Sequence, residues 1–333
     1  SLFAAFFLIV GHASAQLTPE QRIQDSVIGW WSDNYWDRNW KSPAGAEGRL
    51  IETYVTKMVE WMKKSYTPVG GLGTVTRYTA AGGFGVKFMV WNVSHDKQWT
   101  EPNGKFKPIP EENTKFYISA NKIFGAYPVS FINKEGQYLF TWQPDGYDAL
   151  SKTPGEDKRA AGIHSNAAKY ITVRNEMQNV ILAPDNKLPF TPVTRGEFLQ
   201  LADEALAGKL ATANEFDKKA IVRIRKSIAL LKEKYKNNLQ EATLLKDMQP
   251  SMYSFDYSDP FQLSQNDISW KRYYPLYKLT ADILEKLKLP QPQWITVSLP
   301  YETKESGSQL YEMYTAITEN INYDYIYNYF YNP

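Results

Sequence analysis

Two kinds of hydrophobic periodicity divide the chain. Between residues 70 and 182, apolar and polar residues alternate in short runs, which is typical of β-strands with one buried face. After residue 189, apolar residues recur at every third or fourth position over longer stretches, which indicates amphipathic helices. The pattern therefore predicts strands in the first part of the chain and helices in the second.

The predicted strands are joined by short turns, which favours antiparallel pairing because parallel strands need long crossovers. A helix at residues 49–66 is predicted to precede them, and residues 97–113 are predicted to form a surface loop. The predicted strands cover residues 74–80, 84–93, 116–124, 127–132, 137–142, 170–173 and 179–182.

Helix start signals mark the second part of the chain. Thr194 and Glu197 have the spacing of a reciprocal capping box, so we predict a helix from residue 195 to about residue 207. Thr212 and Glu215 have the same spacing, and they predict a long helix that ends near residue 245. The remaining predictions are helices at 277–287 and 309–321, a strand at 294–299, and a helix in preference to a strand at 323–331.

These elements predict an α+β protein in which an antiparallel sheet packed with helices is followed by a mainly helical C-terminal half. Residues 16–190 are expected to form the β-rich unit, and residues 191–333 the mainly helical unit. If the strand at 294–299 returns to the first sheet, the two units form a single domain.

The N-terminal residues predict export. An unbroken apolar run at residues 2–10 precedes Ala13-Ser14-Ala15, which is the form of a secretory signal peptide and its cleavage site. Cleavage between Ala15 and Gln16 would give a periplasmic or extracellular protein, and no transmembrane segment is expected in the mature chain. The alternative is that residues 2–10 form a buried strand or helix.

Two stretches carry a resemblance to a group of bacterial proteins. They are Ala13-Ser14-Ala15-Gln16 and Leu188-Pro189-Phe190-Thr191-Pro192-Val193-Thr194-Arg195-Gly196-Glu197-Phe198-Leu199. In these stretches the chain resembles exported proteins of Bacteroidota-type bacteria. The resemblance implies an exported bacterial protein and brings neither an activity nor site residues.

Composition excludes several kinds of chemistry. The 333 residues include no cysteine, so disulfides, thiolate catalysis and cysteine-ligated metal centres are impossible. A net charge of +2 predicts no nucleic-acid partner. Only His95 and His164 follow the predicted cleavage site, and the glycines fit no nucleotide-binding motif, so we expect no metal and no cofactor.

A tryptophan-rich segment is the candidate ligand site. Aromatic rings can pack on the C–H groups of sugars, while short polar side chains hydrogen-bond the hydroxyls. The alternative is that the rings anchor the N-terminal segment to the sheet, because tryptophan is as common in cores as in sites. The candidate ligand-binding residues are Trp30, Trp31, Asp33, Trp36, Asp37 and Trp40.

The leading functional prediction is an exported, non-catalytic protein that binds a glycan or another component of the cell envelope. One alternative is a hydrolase that cleaves glycans with two carboxylates, for which Asp33/Asp37, Asp145/Asp148 and Asp256/Asp259 are local pairs. Another is an assembly protein of the envelope that uses the tyrosine-rich C-terminus and the basic helix around residues 218–236 as contacts.

Overall fold

A computed structural model describes the chain in segments. The described residues are 30–32, 41, 43–68, 71–80, 83–93, 108–122, 124–133, 138–142, 169–174, 177–256, 258–269, 273–300 and 309–332. The predicted signal peptide and its cleavage site lie outside these segments, so export stays a prediction.

The described residues form strands and helices that alternate along the chain. The strands are β1 (Trp30–Ser32), β2 (Gly71–Ala80), β3 (Gly83–Val93), β4 (Pro108–Ala120), β5 (Tyr127–Pro128), β6 (Leu139–Thr141), β7 (Ile171–Arg174), β8 (Met177–Leu182), β9 (Phe190–Pro192), β10 (Leu244–Leu245), β11 (Tyr274–Leu279) and β12 (Ile295–Pro300). The helices are α1 (Gly45–Ser65), α2 (Arg195–Leu210), α3 (Glu215–Lys234), α4 (Gln265–Ser269), α5 (Ala281–Lys286), α6 (Gln309–Asn320) and α7 (Tyr323–Tyr331).

The larger sheet has seven strands in the order β1-β2-β3-β4-β12-β8-β7. All neighbours are antiparallel except β1 and β2, which are parallel. Strand β12, from the C-terminal part of the chain, lies between β4 and β8. The predicted α+β class is therefore confirmed.

One face of this sheet carries the first hydrophobic cluster. Alternate residues of the strands point into it, and α1, α6 and α7 cover it, because each of these helices has one apolar side. Its fully buried members include Met58, Met62, Val86, Phe88, Phe116, Ile118, Val180, Val297, Tyr314 and Ile317.

A smaller sheet, in the order β10-β11-β6-β5 with β9 also paired to β11, borders two further clusters. The second cluster contains the apolar sides of α2 and α3, and the third joins this sheet to β7, β8 and Trp294. Strands β11 and β12 lie inside the two sheets, so the C-terminal half is not confirmed as mainly helical.

Two predicted elements are partly strand instead. Residues 277–287 were expected to be one helix, but β11 ends at Leu279 and only Ala281–Lys286 is helical. Pairing of β11 with β6 and β9 places Tyr277 against the rings of Phe140 and Phe190, and this tertiary contact outweighs the local helical pattern.

The predicted surface loop at 97–113 is also partly strand, because β4 begins at Pro108. Pro108 and Asn113 pair with β3, with a register shift between them, whereas β12 pairs only with residues 117–120 of β4. The first part of β4 is therefore an edge in the described structure, where proline is tolerated. Residues 97–107 lie outside the described segments.

The predicted capping box at α2 is half present. The Thr194 hydroxyl accepts a hydrogen bond from the Glu197 amide at 3.2 Å, as expected for an N-cap. The Glu197 carboxylate, however, pairs with Lys278 of β11. The second predicted box is wrong, because Asn214 caps α3 and this helix ends at Lys234.

Replacement of Thr194 by alanine is expected to lower the free energy of unfolding by about 1 kcal/mol, because one amide at the start of α2 loses its acceptor. Urea denaturation measures this difference. Thr212→Ala is the matched control, since the exposed Thr212 hydroxyl makes only a 3.4 Å contact with the Lys209 carbonyl and caps no helix. Equal losses in the two variants would contradict the capping assignment.

Candidate functional site

The predicted tryptophan site is only partly described. The backbone of Trp30 pairs with Leu72, and the half-buried Trp31 packs into the first cluster. The Trp31 indole N–H donates to the Tyr66 carbonyl at 3.0 Å, and its ring meets Phe88 edge-on at 5.8 Å. These contacts anchor β1 to the sheet. The other predicted site residues, Asp33, Trp36, Asp37 and Trp40, lie outside the described segments.

A close approach between two strands fixes the position of Trp31. A Cβ atom added at Gly73 would lie 2.4 Å from the Trp31 ring and 2.8 Å from Pro68. Only glycine leaves room for the indole at this position. Trp31 therefore has a packing role, and a ligand-binding role for the remaining segment stays a prediction.

On the opposite face of strands β2, β3 and β4, a group of polar residues lies beside the buried Leu72, Met89 and Trp91. Thr76, Lys87 and Tyr117 lie directly opposite one another across the three strands. In the next row, Tyr78, Gly85 and Ser119 are aligned in the same way. Directly opposite residues share a face. With Lys115, which precedes Tyr117 by two positions, these side chains form what we call the polar face: Thr76, Tyr78, Lys87, Lys115, Tyr117 and Ser119.

Gly85 lets a tyrosine cross from one strand to another. The Tyr78 hydroxyl lies 2.6 Å from the Ser119 hydroxyl, which is two strands away. A Cβ atom at Gly85 would lie 3.0 Å from the Tyr78 hydroxyl and 2.5 Å from the Ile118 carbonyl oxygen. Burial raises the pKa of Tyr78 to about 12, so this hydroxyl is neutral at pH 7 when it bonds to Ser119.

Lysines give the polar face its charge. Lys87 is half-buried and Lys115 is exposed, and they are diagonal neighbours on adjacent strands. Burial, and then the charge of Lys115, lowers the pKa of Lys87. Within the described segments neither ammonium group has a carboxylate partner. A third cation, Lys122, lies 5.0 Å from the centre of the Tyr78 ring.

This arrangement suits the binding of an anion that also carries hydroxyl groups. A bound anion stabilises the charged form of a half-buried ammonium group, because it replaces the hydration that the group has lost on burial. Tyrosine rings and the hydroxyls beside them offer an apolar surface and hydrogen-bonding groups at the same place. The polar face therefore combines charge, aromatic surface and hydroxyl groups over three neighbouring strands.

The chain matches no family model, no curated protein and no solved structure. Its function must therefore be argued from the chemistry of its own side chains. In the described part of the chain, no helix is long and apolar enough to cross a membrane. The same residues contain no cluster of three or more histidine, aspartate or glutamate side chains placed to hold a metal ion.

One predicted carboxylate pair has a structural role. Asp256 forms a bidentate ion pair with Arg223 at 2.6 and 2.8 Å, and Asp259 pairs with Lys234 at 2.6 Å. The Tyr235 hydroxyl also donates to Asp259 at 2.7 Å. We call these contacts the α3 clamp, because they hold residues 252–261 against α3.

The α3 clamp lowers the pKa of both carboxyl groups. The Arg223 hydrogen bonds dominate at Asp256. At Asp259 burial is the largest single effect and raises the pKa, but the hydrogen bonds from Lys234, Tyr235 and the Phe261 amide, together with the Lys234 charge, lower it overall. A catalytic acid of a glycoside hydrolase needs a raised pKa. This pair does not support the hydrolase alternative, and Asp33/Asp37 and Asp145/Asp148 lie outside the described segments.

A small cavity of about 200 Å³ lies where the start of α1 meets the end of β2, the start of β3 and the chain after α5. Among the described residues that line it, Glu47 is the only charged one. Ligand pockets of proteins are typically larger, from about 300 Å³ upwards. The polar face is therefore the better candidate site.

Sequence reasoning did not identify the polar face. Lys87 alternates with the apolar residues of a predicted strand, so its side of that strand could be inferred. Its proximity to Lys115 and Tyr117 depends on the register between β3 and β4, which no residue pattern specifies. The sequence pattern thus indicates which side of each strand is polar, but it does not indicate which residues of neighbouring strands lie opposite one another.

Proposed function

We propose that this chain is an exported, non-catalytic protein that binds an acidic glycan of the cell envelope through the polar face. The observation that carries the proposal is the pair Lys87 and Lys115. These two cations are neighbours on adjacent strands, beside the Tyr117 ring, and have no carboxylate partner in the described segments.

An acidic ligand follows from the electrostatics of the pair. Repulsion from Lys115 and loss of water both disfavour the charged form of Lys87. A carboxylate or phosphate bound between the two ammonium groups would relieve both effects. The net charge of the whole chain is only +2, so attraction of anions would be local to this face.

A glycan rather than a simple anion follows from the neighbouring groups. The half-buried Tyr78 and Tyr117 rings can offer surface to sugar C–H groups, although Tyr117 also packs on Phe124 at 4.5 Å. Thr76 adds a hydroxyl beside them, whereas the Tyr78 and Ser119 hydroxyls already bond to each other. The buried Thr76 hydroxyl makes no hydrogen bond in the described structure. The proposal includes the predicted Trp36 and Trp40, since their segment follows β1, the neighbour of β2 in the same sheet.

The test compares acidic and neutral oligosaccharides. Alginate oligosaccharides are expected to bind in isothermal titration calorimetry, and cello-oligosaccharides of the same length are expected to bind more weakly. The variant Lys87→Gln/Lys115→Gln should weaken alginate binding about tenfold, since it removes one half-buried and one exposed charge. The matched control is Lys187→Gln/Lys286→Gln, which removes two exposed lysines that belong to none of the strands β2, β3 and β4.

The control separates a site from general attraction. Equal weakening by both double variants would show that alginate binds by overall charge, and this result would overturn the polar face as the site. Release of new reducing ends during incubation would instead favour the two-carboxylate hydrolase. If no acidic oligosaccharide binds, the glycan-binding proposal is wrong and the envelope assembly protein is favoured.

A further inference from the structure

The outward side of α3 is a surface that the proposed function leaves unused. The inward side of this helix is fully packed in the second cluster, through Ala220, Ile221, Ile224, Ile228 and Leu231. The helix nevertheless exposes three apolar side chains elsewhere on its circumference. Phe216 is 79% exposed, Leu230 is 72% exposed and Val222 is 44% exposed. Single exposed apolar residues are ordinary, but here they share one helix with a group of cations.

The cations lie between the exposed apolar residues. A shallow depression of about 470 Å³ is lined by Lys218, Lys219, Val222, Arg223 and Lys226. Two of these cations are already paired, Arg223 with Asp256 and Lys218 with Glu215. Lys219 and Lys226 form no ion pair within the described segments. The depression therefore has positive charge that the described part of the chain does not neutralise.

The order of these residues along the helix produces a straight row. Positions 216, 219, 223, 226 and 230 are separated by three or four residues, so they lie along one side of α3 over roughly 20 Å. Phe216 and Leu230 are at the two ends of the row, and Lys219, Arg223 and Lys226 lie between them. A partner that fits this row has a flat, anionic surface and an apolar layer that Phe216 and Leu230 can contact.

We propose that α3 docks lengthwise on an anionic lipid bilayer surface. Lys219 and Lys226 contact the headgroup phosphates, and Phe216 and Leu230 reach towards the acyl chains at the two ends of the helix. Charge complementarity alone would also attract a soluble acidic polymer. Such a polymer leaves Phe216 and Leu230 in water, whereas a bilayer covers both kinds of side chain.

This membrane surface is separate from the proposed glycan site. Helix α3 packs in the second cluster, while the polar face belongs to the seven-stranded sheet. Lysines near an anionic surface strengthen binding about fivefold each. Loss of Lys219 and Lys226 should therefore affect lipid binding and leave alginate binding unchanged.

The test is co-sedimentation with large unilamellar vesicles of phosphatidylcholine alone or mixed with phosphatidylglycerol. The protein is expected to sediment with the mixed vesicles only. Lys219→Gln/Lys226→Gln should weaken this binding about 25-fold, and Phe216→Ser/Leu230→Ser about tenfold. The matched controls are Lys187→Gln/Lys286→Gln and Ile268→Ser/Leu289→Ser, which change exposed residues outside α3 and should bind as the unmodified protein does.

Three results would overturn the proposal. The first is the absence of binding to phosphatidylglycerol vesicles by protein that is folded by circular dichroism. The second is vesicle binding that is unchanged in Phe216→Ser/Leu230→Ser and is abolished by soluble polyglutamate. This result would assign the row to acidic polymers. The third is the absence of vesicle binding together with concentration-dependent dimerisation in sedimentation velocity that the same variant abolishes. This result would assign the row to a second copy of the chain.

Discussion

Replacement of Phe88 by alanine is expected to lower the free energy of unfolding by about 4 kcal/mol. Phe88 is fully buried in β3 at the centre of the first cluster. Its ring stacks on Phe116 at 5.3 Å and meets Trp31 edge-on at 5.8 Å. The substitution loses the burial of a large ring and leaves a cavity in a sheet whose neighbouring strands hold the surrounding side chains in place.

Urea denaturation measures this effect through the midpoint, with an unchanged slope if the unfolded state is the same. Phe216→Ala is the matched control, because this phenylalanine is 79% exposed and its removal should change stability by less than about 0.5 kcal/mol. A loss below about 1 kcal/mol for Phe88→Ala would contradict the assignment of Phe88 to a tightly packed core.

Replacement of Asp259 by alanine is expected to lower the free energy of unfolding by about 3 kcal/mol at pH 7, through loss of its part of the α3 clamp. The side chain of Asp259 is 11% exposed and accepts from Lys234, from the Tyr235 hydroxyl and from the Phe261 amide at 2.9 Å. Alanine leaves these donors without their acceptor. Residues 252–261 then lose a main attachment to α3.

The same carboxylate predicts a specific dependence on pH. Its pKa is lowered in the folded protein, so its contribution to stability is complete above the ordinary value near 3.8 and is lost as the pH falls through the lower folded value. Asp259→Asn should reduce stability at pH 7 and flatten the acid limb of the stability curve below about pH 4.

Thermal unfolding followed by circular dichroism across this pH range measures both changes. Asp185→Asn is the matched control, because Asp185 is 80% exposed and its positive φ of 55° is tolerated by asparagine. If the stability of Asp259→Asn falls below about pH 4 as steeply as that of the unmodified protein, the acid sensitivity does not come from the α3 clamp.

Local signals in the sequence predicted the local structure well. The helix at residues 49–66 corresponds to α1, the helix at 309–321 to α6, and the tyrosine-rich residues 323–331 to α7, which begins at an Asn322 cap. Each of these helices has an apolar side of its own, so neighbouring residues contain the necessary information.

Long-range pairing determined what the sequence did not reveal. Glu197 has the correct spacing for a capping box, yet its carboxylate pairs with Lys278, which is distant in the chain. Phe216 fits the apolar stripe of α3 by spacing but lies at its exposed end. The polar face requires a register between strands, and register depends on the packing of the whole sheet rather than on any segment.

The position of β12 has a consequence for how the chain acquires its structure. Strands β4 and β8 are joined only through β12, so both present open edges until residues 295–300 become available. Contacts between residues so far apart in the chain make folding slow and leave edges that attract other chains in the meantime. Such a chain is expected to stay unfolded during synthesis for longer than one built from local hairpins. The proposed export would use this delay, because the chain could cross a membrane in an extended form and complete its folding on the far side.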